Sequence, residues 1–212
     1  LSDLEHVIEW ASSRHRDRLS GQGNLFNSKE EFSFIEQSSQ KNLIEGLILI
    51  SYPEFGLYIY KSNHLYLAVR CWSGKEPYHL GHMHLDQLSV ELVLEGQEVI
   101  TDPGSYIYNP SPKKRWLYRS SGAHFGPFND LNIAKEYIED PFSPIKPEPL
   151  EVSYFSNTGF LVEFIHNNSK KQFCISINEK KITFICSVIE KKRLSLDPKV
   201  PLSSSYGVLL NK

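Results

Sequence analysis

Three short stretches concentrate the residues able to do chemistry: Gly81-His82-Met83-His84-Leu85-Asp86-Gln87-Leu88-Ser89, then Ile100-Thr101-Asp102-Pro103-Gly104, then Arg119-Ser120-Ser121-Gly122-Ala123-His124. In the first, His82, His84 and Asp86 recur at every second position. Side chains alternate faces along a β-strand, so a strand here would project all three from one side and Met83 and Leu85 from the other. Two imidazoles and a carboxylate turned to one face are costly unless a metal or a reaction uses them. Asp102 and His124 are the outside residues available to complete such a group. Zinc takes imidazole nitrogen and carboxylate oxygen in tetrahedral sites, with outer carboxylates orienting the rings. His84, Asp102 and His124 would make a two-His, one-carboxylate set with one position left for water, and His82 or Asp86 could act beside it. The bland alternative is a hydrogen-bonded polar cluster, with Asp102-Pro103-Gly104 an ordinary turn.

Two other metal-binding patterns fail on spacing. The His-x-His-x-Asp-His run of metallo-β-lactamases has Gln87 in its last position here, and that fold is αββα. Cupins carry a Glu three or four residues after His-x-His, and Glu91 comes too late.

The elements that must position these residues read as β-strands. Short β-branched or aromatic runs fall at 47–50, 57–60 and 64–71, broken by Pro53-Glu54-Phe55-Gly56 and Lys61-Ser62-Asn63. Residues 88–94 alternate cleanly, and Glu95-Gly96-Gln97 turns them into 98–101 as a hairpin. Later runs lie at 151–155, 160–166, 172–177, 181–189 and 194–196, with Asn-rich turns between them. Such spacing, without long βαβ helices, predicts a mainly β, antiparallel sandwich over 44–212. Ahead of it, 2–19 reads as a helix with Ser2 as N-cap and Glu5 as its capping-box partner. Residues 26–42 read as a polar linker with room for one short helix, so that 1–43 forms an N-terminal helix and linker. The segment 106–149, rich in Pro and aromatic residues, reads as loops over one face.

Composition excludes some classes. A net charge of -2 gives no basic excess for nucleic acid or an anionic membrane surface, and no apolar run reaches the length of a membrane span. Cys71, Cys174 and Cys186 are odd in number and widely spaced, which reads as buried free thiols rather than a disulfide framework. The chain opens at Leu1, which reads as a processed or excised part of a longer product, so a missing signal peptide is uninformative about compartment.

The three motif stretches, with Asp102-Pro103-Gly104-Ser105-Tyr106-Ile107-Tyr108 in the middle, resemble the heparinase II/III-like family in order and spacing. The resemblance covers roughly 55–124. It implies a β-sandwich domain that follows an α/α toroid, with the active cleft between them, and it implies that His84, Asp102 and His124 bind a structural zinc ion. His82 would face the cleft and assist catalysis, and Tyr106, Tyr108 and Arg119 would be substrate contacts. Such enzymes cleave uronic-acid polysaccharides by β-elimination. The C6 carboxylate must be neutralised, a base must take the C5 proton, and an acid must protonate the leaving oxygen. An imidazole titrates near neutrality and suits such work. The family's main base, a Tyr, comes from the toroid, for which this chain has no room, so the chain alone is expected to be inactive. The 2–19 helix would be the tail of that toroid, which the same gene or a partner chain supplies. Two departures stand out: Phe125 replaces the Asn that usually follows the third-motif His, and Met83 is bulky where a small residue is usual.

The resemblance implies the sandwich domain of a polysaccharide lyase with an anionic polysaccharide as substrate, and it favours a periplasmic or secreted setting. The rival is a non-catalytic carbohydrate-binding or accessory module that keeps the metal as a fold staple. Trp116 with Tyr106 and Tyr108 could stack sugars, although sandwich aromatics belong more often to the core. The Lys113-Lys114-Arg115 triplet reads as a solvated loop, and His64, His79 and His166 as ordinary.

Overall fold

A computed structural model describes residues 31–74, 82–108, 110–128, 140, 147–166, 168–188, 200–205 and 208–209. The expected helix at 2–19 and strand at 194–196 lie outside these residues. Within them, two five-stranded antiparallel sheets face each other. One runs β2-β3-β4-β5-β6, built from Ile48–Tyr52, Leu57–Lys61, Leu65–Arg70, Val90–Leu94 and Gln97–Ile100. The other runs β1-β10-β9-β8-β7, where β1 is Glu31–Ser38, β7 Val152–Ser156, β8 Gly159–His166, β9 Ser169–Ile177 and β10 Lys181–Val188. A short pair, β11 (Ser203–Ser205) and β12 (Val208–Leu209), follows. The fold is the expected antiparallel sandwich.

Alternation builds the core. Leu65, Leu67 and Val69 of β4 and Val90, Leu92 and Leu94 of β5 point inward to meet Phe160 and Val162 of β8, Phe173, Ile175 and Ile177 of β9, and Ile182 and Phe184 of β10. This is the burial that drives the two layers together. The outward row of the first sheet carries Tyr66, Ala68, Arg70 and Glu91, and that row forms one wall of the site.

Two expectations need correction. The linker expected over 26–42 contains β1, which pairs along its length with β10, from Glu31 opposite Val188 to Ser38 opposite Lys181. Ser, Gln and Glu masked the Phe32-x-Phe34 alternation there. The loop expected over 106–149 contains α1, Pro112–Arg119, and a 3-10 turn at Ser121–Ala123. The Ser111 side chain accepts from the Lys114 N–H and Pro112 opens the first turn, a start signal legible in Ser-Pro-x-x. The Lys-Lys-Arg triplet is therefore helical, with Lys113 and Lys114 exposed and Arg115 buried. The Glu95-Gly96 turn joins β5 to β6 with φ of 52° and 80°, the conformation a two-residue hairpin demands. Cys71, Cys174 and Cys186 are buried and unbridged, as expected. Among the described residues no helix is long and apolar enough to cross a membrane.

Candidate functional site

The first motif is an irregular loop, not a strand. The Ser89 N–H bonds back to the Asp86 carbonyl at 2.9 Å and Leu88 sits at a φ of 58°, which breaks the alternation a strand needs. The loop is pinned at both ends of its span: Leu88 N–H donates to the Arg70 carbonyl at 2.7 Å, and Leu85 N–H to the Arg119 carbonyl at 2.7 Å. Gln87 is buried beneath it. Its Oε1 accepts from the Trp72 N–H at 2.7 Å, and its Nε2 donates to the carbonyls of Trp72 at 2.9 Å and Glu148 at 2.7 Å. His82, His84 and Asp86 still reach one common space, by loop geometry rather than by strand parity. Met83, the bulky departure, is buried.

The other two motifs deliver their residues to the same place. Asp102 follows β6, and its Oδ1 accepts the Gly104 N–H at 2.8 Å. Gly104 has a φ of 76°, which turns the chain back over the aspartate. His124 ends the 3-10 turn and is only 3% exposed. Its Nδ1 lies 2.5 Å from Asp102 Oδ2, and its Nε2 lies 3.3 Å from His84 Nδ1. Ser105 Oγ is 3.4 Å from His84 Nε2. Burial, then the neighbouring His124 charge, drives the His84 pKa down to about 3, so this ring is neutral. Burial would lower His124 as well, but its hydrogen bond to Asp102 and that carboxylate's charge outweigh it and raise the pKa. Asp102 shows the reciprocal effect: burial pushes it up, and the bond and charge of His124 bring it below the usual carboxylate range.

This donor set can be compared with what zinc needs. Bonds of 2.0–2.1 Å at a tetrahedral angle separate two nitrogens by roughly 3.3 Å, and His84 Nδ1 and His124 Nε2 are 3.3 Å apart. Asp102 stands behind His124 on its other nitrogen, the place of a ring-orienting carboxylate. Among the described residues no three His, Cys, Asp or Glu side chains converge as a complete ligand set. Two arms thus fit zinc in kind and spacing, and the carboxylate is adjacent.

These groups line a cavity of about 600 Å³ with Phe55, Leu57, Tyr66, Ala68, Arg70, Met83, Ser89 and Glu91. His82 is exposed at its edge. Sequence reading missed Arg70, Glu91 and Tyr66, although strand parity places all three on the outward row. Arg70 Nε lies 3.6 Å from Asp86 Oδ2, and its guanidinium lies 4.6 Å from the Phe55 ring centroid. Burial raises the Asp86 carboxyl against the opposing pull of Arg70. Burial, then Asp102 and Glu98, raises Glu91.

The remaining expected residues lie around helix α1. Tyr108 is half-buried, 6.0 Å from the His82 ring, and Tyr106 packs on Tyr118 at 5.2 Å with a φ of 55°. Trp116 is buried at 3% exposure and belongs to the core reading, not to a sugar-stacking surface. Arg119 is 1% exposed and donates from Nε to the Met83 carbonyl at 2.9 Å. Where a substrate contact was expected of it, that burial gives it another task, holding the motif loop.

Residues 46–124 match the model of a family described as heparinase II/III-like, C-terminal. Among solved structures, a heparinase III gene product aligns at 11% identity over 84% of this chain and 24% of its own, with a TM-score of 0.42. The heparan sulfate lyase HepC from Pedobacter heparinus aligns at 12% identity over 82% of this chain and 23% of its own, with a TM-score of 0.40. The chain spans about a quarter of the length of these proteins. No curated protein matches it.

Proposed function

From the match of residues 46–124 to the heparinase II/III-like, C-terminal family model, we propose that the chain is the sandwich wall of a polysaccharide lyase that cleaves a uronic-acid glycan by β-elimination. The observation that carries the reading is the meeting of all three motif stretches on one cavity, with His82 exposed at its edge. There His82 would exchange a proton with the reacting sugar while Arg70 offers positive charge to its carboxylate. The cavity also holds acidic groups, which an anionic sugar would oppose. Arg70, 3.6 Å from Asp86 Oδ2, offsets part of that negative charge. Tyr106 and Tyr108 are the proposed sugar contacts.

Zinc is the proposed cofactor, with His84 and His124 as nitrogen ligands and Asp102 as the carboxylate that orients His124 from its other nitrogen. Its contribution when bound would be structural, tying together the loop after β6, the first motif and the turn after α1. The principal base would come from an α/α toroid outside this chain. A lyase assay on the whole gene product tests the proposal. Ultraviolet-absorbing unsaturated uronate should appear with wild type and be lost with His82→Ala, while this chain alone stays inactive. Glycan binding without product, across heparan, hyaluronan and alginate, would assign the chain to a binding module instead.

A further inference from the structure

Helix α1 presents two buried arginines one turn apart, Arg115 and Arg119, each 1% exposed. Arg119 contacts the His82-Met83-His84 segment directly, and Arg115 reaches it through Tyr108. Arg119 holds the backbone, through the Met83 carbonyl and the Leu85 N–H. Arg115 reaches the side-chain side. Its guanidinium lies 4.3 Å from the centroid of the Tyr108 ring and is hydrogen-bonded to Tyr108. Tyr108 in turn meets the His82 ring edge to face, at 6.0 Å and 65°.

We infer that Arg115 is a positioning residue, which fixes the Tyr108 ring and through it the orientation of the His82 imidazole at the cavity edge. The inference rests on the reading of His82 as the proton-transfer group. The physical case starts from burial. A guanidinium withdrawn from water has lost its hydration and needs a polarisable, hydrogen-bonding partner, and Tyr108 provides both ring face and hydroxyl. The planar fork lying against the phenol restricts that ring more than a flexible ammonium would. An exposed imidazole otherwise samples several rotamers, so a fixed ring beside it narrows the geometry available for proton transfer. Because α1 carries both arginines, backbone and side chain of the motif are set by one rigid element.

The first test is nuclear magnetic resonance on this chain, following the His82 Cε1–H signal, assigned by its loss in His82→Gln. Tyr108→Leu should displace that signal, because the adjacent ring is gone. Arg115→Lys should displace it in the same direction, and combining the two should add nothing beyond Tyr108→Leu alone. Tyr108→Phe, which removes only the hydroxyl that Arg115 bonds, gives the same comparison should the lysine variant fold poorly, and it too should displace the signal. A His82 signal unmoved in Arg115→Lys or in Tyr108→Phe overturns the inference, as does an equal displacement in Trp116→Phe, a buried neighbour on the same helix. In the whole gene product Arg115→Lys should lower kcat roughly tenfold with KM within about twofold. Absence of lyase activity there would count against the His82 reading, whereas the resonance result decides the role of Arg115 by itself.

Discussion

His84 and His124 face each other across 3.3 Å with one ring neutral and the other bonded to Asp102. Two unequal roles follow for the polar groups. Removing an imidazole deletes a nitrogen arm outright, so His84→Ala should abolish zinc loading, measured as metal per purified chain. Asp102 instead orients His124 through its Nδ1, and loss of an orienting carboxylate weakens metal affinity by roughly 10–100-fold. Asp102→Asn should therefore retain less zinc than wild type when challenged with a chelator. Zinc absent from the wild-type chain would reduce the trio to a hydrogen-bonded cluster. Gln87 makes a different residue-scale argument. Its amide closes three bonds to the backbone of Trp72 and Glu148, and each buried group left unsatisfied costs about 1–3 kcal/mol. Gln87→Leu should lower the urea midpoint clearly, and an unchanged midpoint would mean that other groups replace these bonds.

At the scale of elements, the β2–β3 turn is tied to the end of β4 that pins the motif loop, with the Cys71 N–H donating to the Gly56 carbonyl at 2.7 Å and the Leu88 N–H to the Arg70 carbonyl at 2.7 Å. Gly56 has a φ of 72°, and a Cβ added there would stand 2.5 Å from the Trp72 Cα and 2.7 Å from the Cys71 carbonyl oxygen. Backbone cannot step aside as a side-chain tip can. Gly96 has a similar φ of 80° but nothing within 4 Å of the added carbon. Gly96→Ala should then carry only the conformational penalty, about 1 kcal/mol, and Gly56→Ala distinctly more, as read from their denaturant midpoints. Equal losses would show that the Trp72 contact is slack. These elements also mark what the sequence made legible. Alternation and turn residues placed β2 to β10 closely, because a half-buried strand writes its parity into the residue types. Polar side chains hid β1, whose partner β10 lies some 150 residues on and leaves no local trace. The helical start at Ser111-Pro112 is obscured by the run of charges that follows it, and with it the buried arginines. The first motif has the alternation of a strand, yet its histidines and aspartate share one cavity through the bend at Leu88 and the anchors from Arg70 and Arg119, which replace pleat by loop. No local pattern encodes that exchange.

At the scale of the whole molecule, the cysteines sample both layers of the sandwich. Cys71 and Cys186 lie in the main core between the sheets, and Cys174 packs with Leu161 and Ile185 in a smaller cluster. Burial pushes each thiol from 9.0 up to about 12, with Arg70 opposing slightly at Cys71 and Lys171 at Cys186. Burial raises Tyr60 as well, from 10.0. The sign of the linkage is then fixed. Below pH 9 thiols are protonated in folded and unfolded chains alike, and stability does not depend on them. Above pH 9 the unfolded chain releases thiol protons that the folded chain keeps, so the unfolded state gains and stability falls until about pH 12, where the folded thiols titrate too. Each thiol should remove on the order of 1 kcal/mol per pH unit in that window. Urea midpoints of wild type and the triple Cys→Ala variant at 71, 174 and 186 check this. The variant should start lower, from the lost packing, and then decline less steeply above pH 9. Parallel declines would mean that the thiols are as accessible folded as unfolded, and that the two sheets do not close on a dry core. A single transition whose midpoint responds to all three thiols would show instead that inner core and outer cluster open together, so that the site loops lose their support only when the whole sandwich unfolds.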